Sequence, residues 1–169
     1  KSERIKLIKI LSHDVERIDR LITDYSQMLK DEASLSRERM KKLDLETLIK
    51  NVVDEFKNNS NVSEKNIKFK IIKEQPNGYD FQLFGIDNRL EQILANLLDN
   101  AVSFSPRDGE ILISIKGTKN TVLFKVKDKG PGFRENNTKK IFKRFYSNRP
   151  EKFGQHSGLG LNIVKNIVE

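Results

Sequence analysis

A chain of 169 residues, 36% hydrophobic and 33% charged, is long enough for one domain with a true core and a short appendage. It has no cysteine, which excludes disulfides and thiolate metal sites, and its two histidines cannot build a zinc site by themselves. The net charge of +8 allows a nucleic acid, a membrane surface or a small anionic ligand, but the lysines are scattered among acids without interleaved aromatics, which argues against nucleic acid. No run approaches the roughly 18 apolar residues of a membrane span, and no signal-peptide pattern opens the chain.

Residues 2 to about 40 carry one long helical pattern. Ile8, Leu11, Val15, Ile18, Ile22, Tyr25 and Leu29 repeat in a 3-4 rhythm between charged flanks, the period of a helix packed on other helices. A single helix cannot bury that seam, so the pattern implies a partner helix outside this chain. Residues 43–57 predict a second amphipathic helix, capped by Asp44 and buried along Leu48, Val52 and Phe56. The polar run 58–66 reads as a loop. Ile67 to Lys73 alternates as a half-buried strand, Gln75 to Gly78 as a turn, and Phe81 to Phe84 as a short strand.

The stretch Asp87 to Pro106 predicts the central helix. Asp87 is the expected N-cap, Leu90, Ile93, Leu94, Leu97 and Ala101 form its apolar stripe, and Ser105-Pro106 stops it. Asn96 and Asn100 are one turn apart beside that stripe. Asparagine is a poor helix-interior residue, so the pair reads either as two solvated amides or as amide oxygens aimed at a hydrated metal ion or a phosphate. Asp108-Gly109 turns the chain into a hairpin of two strands, Glu110 to Ile115 and Thr121 to Lys127. Ile111, Ile113 and Ile115 share one face, as do Val122, Phe124 and Val126.

Asp128-x-Gly130-x-Gly132 follows the second strand. Such a carboxylate can accept a hydrogen bond from an exocyclic amine, and glycines let a flat ring approach; the same pattern also serves as a plain turn. Ser157-Gly158-Leu159-Gly160-Leu161 opens the last helix, where exposed amides can bind an anion. It lacks the lysine and hydroxyl residue of a P-loop and follows no strand, so neither that motif nor a dinucleotide fingerprint fits.

In sequence order, the Asn96/Asn100 helix, Asp128 to Gly132, the aromatic-basic run Ile141 to Tyr146 and Gly158 to Leu161 resemble the N, G1, F and G2 boxes of sensor histidine kinases of two-component systems. The resemblance covers residues 43–169, and residues 1–40 resemble the second helix of that family's dimerisation hairpin. It implies the two-layer α/β sandwich shared with Hsp90, gyrase and the mismatch-repair ATPases: a mixed sheet covered on one face by helices, here preceded by a long coiled-coil-type helix. It implies ATP and Mg²⁺ as ligands. Asp128 would meet the adenine amine, and Gly130 and Gly132 would shape its pocket. Asn100 would hold Mg²⁺ between the phosphates, with Asn96 beside it. Ser157, Gly158, Leu159, Gly160 and Leu161 would approach the phosphates. Residues 147–157 would form a lid anchored by Phe142 and Phe145, from which Arg149 or Lys152 could reach a phosphate.

The implied activity is that of a protein-histidine kinase. The γ-phosphoryl of ATP would pass to a histidine on a dimerisation helix absent from this chain, and then to an aspartate of a response regulator. The implied setting is a homodimeric, membrane-anchored parent with this part facing the cytoplasm and touching no membrane. Ser12-His13-Asp14 imitates the phosphoacceptor motif without its proline, on the wrong hairpin helix, so His13 reads as an ordinary helix position and this chain alone should not phosphorylate itself. His156 reads as a solvated loop residue. Ser103 stands where the family often has a lysine reaching phosphate. The family pattern also continues by about two strands beyond Glu169, so the sequence resembles a chain truncated at both ends. The alternative reading is a decayed nucleotide-binding or interaction module without kinase activity. Hsp90-like ATPases carry a glutamate where Asn96 stands, which sets them apart.

Overall fold

The computed structural model describes residues 39–75, 78–133, 138–144, 146 and 158–169, with 4, 5, 7, 8, 10–12, 14, 15, 18, 19, 22, 23, 25, 26 and 29. Backbone at the described positions between 4 and 29 is helical, and the seam residues Ile8, Leu11, Val15, Ile18, Ile22, Tyr25 and Leu29 are exposed. The helix does not run to residue 40 as expected: Arg39 and Met40 are irregular and a strand, β1, occupies Lys41–Asp44.

Helix α1 spans Leu45–Lys57. Its buried residues Leu45, Leu48, Ile49, Val52 and Val53 recur at helical spacing, while Phe56 is half-buried. Asp44 is its N-cap, as the sequence predicts. Its backbone is extended (φ −95°, ψ 107°), and its carboxylate accepts from the Glu46 amide at 3.0 Å and the Thr47 hydroxyl at 3.0 Å. The run expected to be a loop contains a short helix, α2, Ser60–Lys65. Asn66 ends it in the left-handed region (φ 52°), a conformation asparagine tolerates.

Strand β2 is Lys68–Glu74, β3 is Gln82–Gly85, β4 is Glu110–Gly117 and β5 is Val122–Lys127. They form two sheets. β1 pairs antiparallel with β3, Lys41 opposite Gly85. β4 lies between β2, to which it is parallel, and β5, to which it is antiparallel. This is the expected mixed sheet. Ile111, Ile113 and Ile115 are wholly buried under the helices, whereas Leu112 and Ser114, on the opposite face, are only half-buried. Asp108 turns left-handed (φ 59°) before β4. Its amide donates to the Lys65 carbonyl at 2.7 Å and its carboxylate accepts from the Asn66 side chain at 2.7 Å, which ties the end of α2 to the start of β4.

The central helix, α3, spans Asp87–Phe104. The expected N-cap at Asp87 is corrected. Ile86 occupies the cap without a side-chain bond, and Asp87, already helical, pairs with Lys41 of β1. The carboxylate thus joins the ribbon to the helix and also sits in the first turn, where the helix dipole favours an anion. Leu94, Leu98 and Ala101 are buried against α1 and the sheet, Leu90 packs half-buried against that core, and Ile93 and Leu97 are half-buried. Ser105, in extended conformation before Pro106, ends the helix as predicted. A 3-10 turn, Thr138–Phe142, precedes the last helix, α4, Gly160–Val168, which packs on α3. None of the residues of α4 is buried, but Leu159 at its cap is 1% exposed and anchors its start.

Leu98 has no exposed surface. Leu98→Ala is expected to cost about 3 kcal/mol, read as a lowered urea midpoint at unchanged slope. Glu46 sits between Lys50 at 2.6 Å and Lys73 of β2 at 2.9 Å, and hydrogen bonds from Lys50 and then Lys73 hold its carboxyl below the ordinary range. A depressed carboxylate stabilises above its unfolded pKa, and that contribution is lost as pH falls through the folded one. Glu46→Gln should therefore lower stability by up to about 1 kcal/mol at neutral pH, with a gap that closes in melts below roughly pH 4.

Candidate functional site

One face of α3 carries Gln92, Asn96, Asn100 and Phe104, each four residues after the last. That spacing stacks them in a line about 18 Å long on the side turned away from Leu94 and Leu98. Asn96 and Asn100 are half-buried. The Asn96 amide nitrogen donates to the Gln92 carbonyl at 2.8 Å, which fixes the side chain and directs its Oδ1 outward from its own helix.

That oxygen faces the start of α4. A methyl group built on Gly160 would lie 2.8 Å from Asn96 Oδ1 and 3.8 Å from Asn100 Nδ2. A methyl group there would have to displace the Asn96 amide, so the two amides and the N-terminus of α4 share one place. The first intrahelical bond of α4 runs from the Ile163 amide to the Leu159 carbonyl at 2.9 Å, and its cap makes no side-chain bond. The amides of Gly160, Leu161 and Asn162 precede that bond and are donors without a partner inside the helix. Gly158, just before, is left-handed at φ +71°. The arrangement offers main-chain donors and two amide side chains to an anion or a hydrated cation.

The other end of the line reaches the segment after β5. A methyl on Gly130 would lie 2.9 Å from the Phe104 carbonyl oxygen and 3.0 Å from Phe104 Cβ. Asp128 turns back on this segment, its Oδ1 accepting from the Gly130 amide at 2.7 Å. One carboxylate oxygen thus holds the loop, while the carboxylate keeps further acceptor capacity on its second oxygen. Asp128 is half-buried; Gly132 is exposed and left-handed at φ +72°.

The structure therefore aligns Asp128 and Gly130 with Asn96, Asn100 and Gly160 along α3, with Gly158, Leu159 and Leu161 contiguous in the chain. Phe145, Ser157, His13, His156, Arg149 and Lys152 lie outside the described residues. Ser103, which stands where the family often has a lysine reaching phosphate, is buried, and its hydroxyl donates to the Asp99 carbonyl at 3.1 Å, so it is spent inside the helix. Phe142 is half-buried, and its carbonyl accepts from Asn162 Nδ2 at 3.0 Å, which ties the 3-10 turn to α4. Sequence reasoning passed over Asn162, whose signal was a polar amide within the otherwise apolar first turn of the helix. Phe104 was also missed, because its contribution is a backbone carbonyl.

A hollow of about 350 Å³ lies between α1 and α3, lined by Asn51, Val52, Glu55, Asn88, Arg89, Glu91, Gln92 and Ala95, so that it meets the line only at Gln92. It contains none of the asparagine, aspartate or glycine positions above. Among the described residues no three His, Asp or Glu side chains gather as a metal cage, and no helix is long and apolar enough to cross a membrane.

Residues 85–169 match the family model described as histidine kinase-, DNA gyrase B-, and HSP90-like ATPase. The chain is 38% identical to the sensor protein ChvG of Agrobacterium fabrum over 97% of its own length and 28% of that protein's, so it spans less than a third of that relative. The histidine kinase ThkA, solved in complex with the response regulator protein TrrA, superposes with a TM-score of 0.63 at 25% identity, over 87% of this chain and 41% of that one. Full-length ShkA in complex with AMPPNP gives 0.62 at 28% identity, over 76% of this chain and 25% of that one. The fold, the order of the motifs and the family match agree, and the chain belongs to the ATPase family of histidine kinases, DNA gyrase B and HSP90.

Proposed function

We propose that this chain binds ATP with Mg²⁺ and is the catalytic part of a sensor histidine kinase. The observation that carries the reading is the single line of α3, which joins Asp128 and Gly130 at one end to Asn96, Asn100 and Gly160 at the other. An elongated ligand with a hydrogen-bonding ring at one end and phosphates at the other matches that polarity. The carboxylate of Asp128 accepts the adenine amine, while its Oδ1 keeps the Gly130 loop in place. Gly130 and Gly132 leave room for the ring. Amides of Gly158, Leu159, Gly160 and Leu161 serve the phosphate oxygens, and Ser157 and Phe145 complete the assignment.

Asn100 and Asn96 are the residues that fit Mg²⁺, since hard oxygen donors beside phosphates suit it without a dedicated carboxylate cage. When bound, Mg²⁺ supplies charge neutralisation as the γ-phosphoryl leaves ADP. In the transfer, the bond between the γ-phosphorus and the bridging oxygen breaks and a phosphorus–nitrogen bond forms on the histidine. Neither asparagine can act as a base for water, which suits transfer to an imidazole better than hydrolysis. The acceptor histidine belongs to a dimerisation helix outside this chain, the helical stretch that ends before Arg39 belongs to the second helix of that hairpin, and residues 43–169 are the nucleotide-binding domain. The phosphoryl group then passes to a response regulator. The whole protein is a membrane-anchored homodimer with this part in the cytoplasm.

Titration calorimetry with ATP-Mg²⁺ tests the reading directly. Binding heat is expected, and its absence favours an interaction module without catalysis. Asp128→Asn should weaken ATP and ADP alike by roughly 10- to 100-fold, the worth of a charge-assisted hydrogen bond. Asn100→Ala should weaken ATP-Mg²⁺ but leave metal-free ADP within about 2-fold, because its task is at the phosphate end. Equal losses for both ligands would refute its metal role.

A further inference from the structure

We propose that Lys65 is a positioning residue for the adenine end of the site, acting through the C-terminus of α3. The proposal rests on the nucleotide reading above and deepens it. Lys65 is 8% exposed, rare for a lysine. Its ammonium donates to the carbonyls of Val102, Ser103 and Ser105 at 2.8, 2.9 and 2.9 Å.

A helix leaves its last carbonyls unsatisfied and carries partial negative charge there. α3 has no basic residue of its own in its last turn. The cation arrives from α2, whose end is itself fixed: the Lys65 carbonyl accepts from the Asp108 amide, and Asn66 bonds the Asp108 carboxylate. The clamp therefore has a rigid base.

Phe104 is the residue that this clamp skips. Its carbonyl and Cβ lie instead against Gly130, with no room for a methyl group between them. The run from Val102 to Ser105 is thus divided. Three carbonyls turn to Lys65, and the fourth abuts the loop that Asp128 closes. Without the ammonium, the last turn would shed those carbonyls to water and rotate or fray, and Phe104 would move against Gly130. Asn96 and Asn100, farther back in the helix and braced by Leu94 and Leu98, would move less.

The test uses the full chain, with Lys65→Met as the isosteric neutral variant and Lys65→Gln as a milder one. Amide hydrogen exchange and calorimetric affinities for ADP and ATP-Mg²⁺ are measured on each. The expected result for Lys65→Met is about 10-fold weaker binding of both nucleotides at an unchanged ATP-to-ADP ratio, with less than about 2-fold further loss in an Asp128→Asn background. Amides of 128–132 should exchange several-fold faster while those of 111–115 keep wild-type protection. Wild-type exchange at 128–132 in a folded variant, or equal acceleration at 111–115, overturns the proposal. If Lys65→Met does not fold, the same readings on Lys65→Gln decide. Absence of nucleotide binding by the wild type would sink the ATP reading instead, and the exchange pattern would still decide the role of Lys65.

Discussion

Everything in this domain is held to one helix that is apolar on one side and amide-bearing on the other. Leu94, Leu98 and Ala101 bury one face of α3 against α1 and the isoleucines of β4. That packing fixes the rotation of the helix about its axis. With rotation fixed, Asn96, Asn100 and Phe104 must emerge together on the opposite side, where α4 and the loop after β5 meet them. A shift of one residue in the apolar stripe would turn the amides by about 100° and scatter the line.

The close contacts at Gly160 and Gly130 show how the peripheral segments are docked on that line. Each glycine brings main chain within reach of a side chain or carbonyl of α3, at places where a methyl group would collide. Close approach of backbone lets main-chain donors, which survive any substitution except proline, serve a ligand. Charge enters sparingly. Asp128 is the one carboxylate assigned to the site, and its role is divided between closing its own turn and presenting an acceptor.

Periodicity made much of this legible. The helices 45–57 and 87–104, the hairpin of β4 and β5 and the Asp44 cap are local patterns, because each depends on residues a few positions apart. The motifs were legible as a set, since their order carries the family resemblance. What escaped was non-local. β1 has the composition of a helix flank, and only pairing with β3 makes Lys41–Asp44 a strand. The run 58–66 looks polar enough for a loop; it forms α2 partly because Lys65 finds carbonyls some forty residues away. Asp87 has the chemistry of an N-cap, yet Lys41 draws it into an ion pair one residue inside the helix.

By itself the sequence determined the two long helices 45–57 and 87–104, the β4–β5 hairpin, the direction of their apolar faces and the membership of the motifs. Tertiary structure alone decided which motif atoms meet: Asn96 Oδ1 with Gly160, the Phe104 carbonyl with Gly130, and the Lys65 ammonium with the end of α3. The physical reason is range. Side-chain periodicity and capping act within a turn or two of chain, whereas contacts between backbone groups far apart in sequence arise only once the core has set the helix in its place.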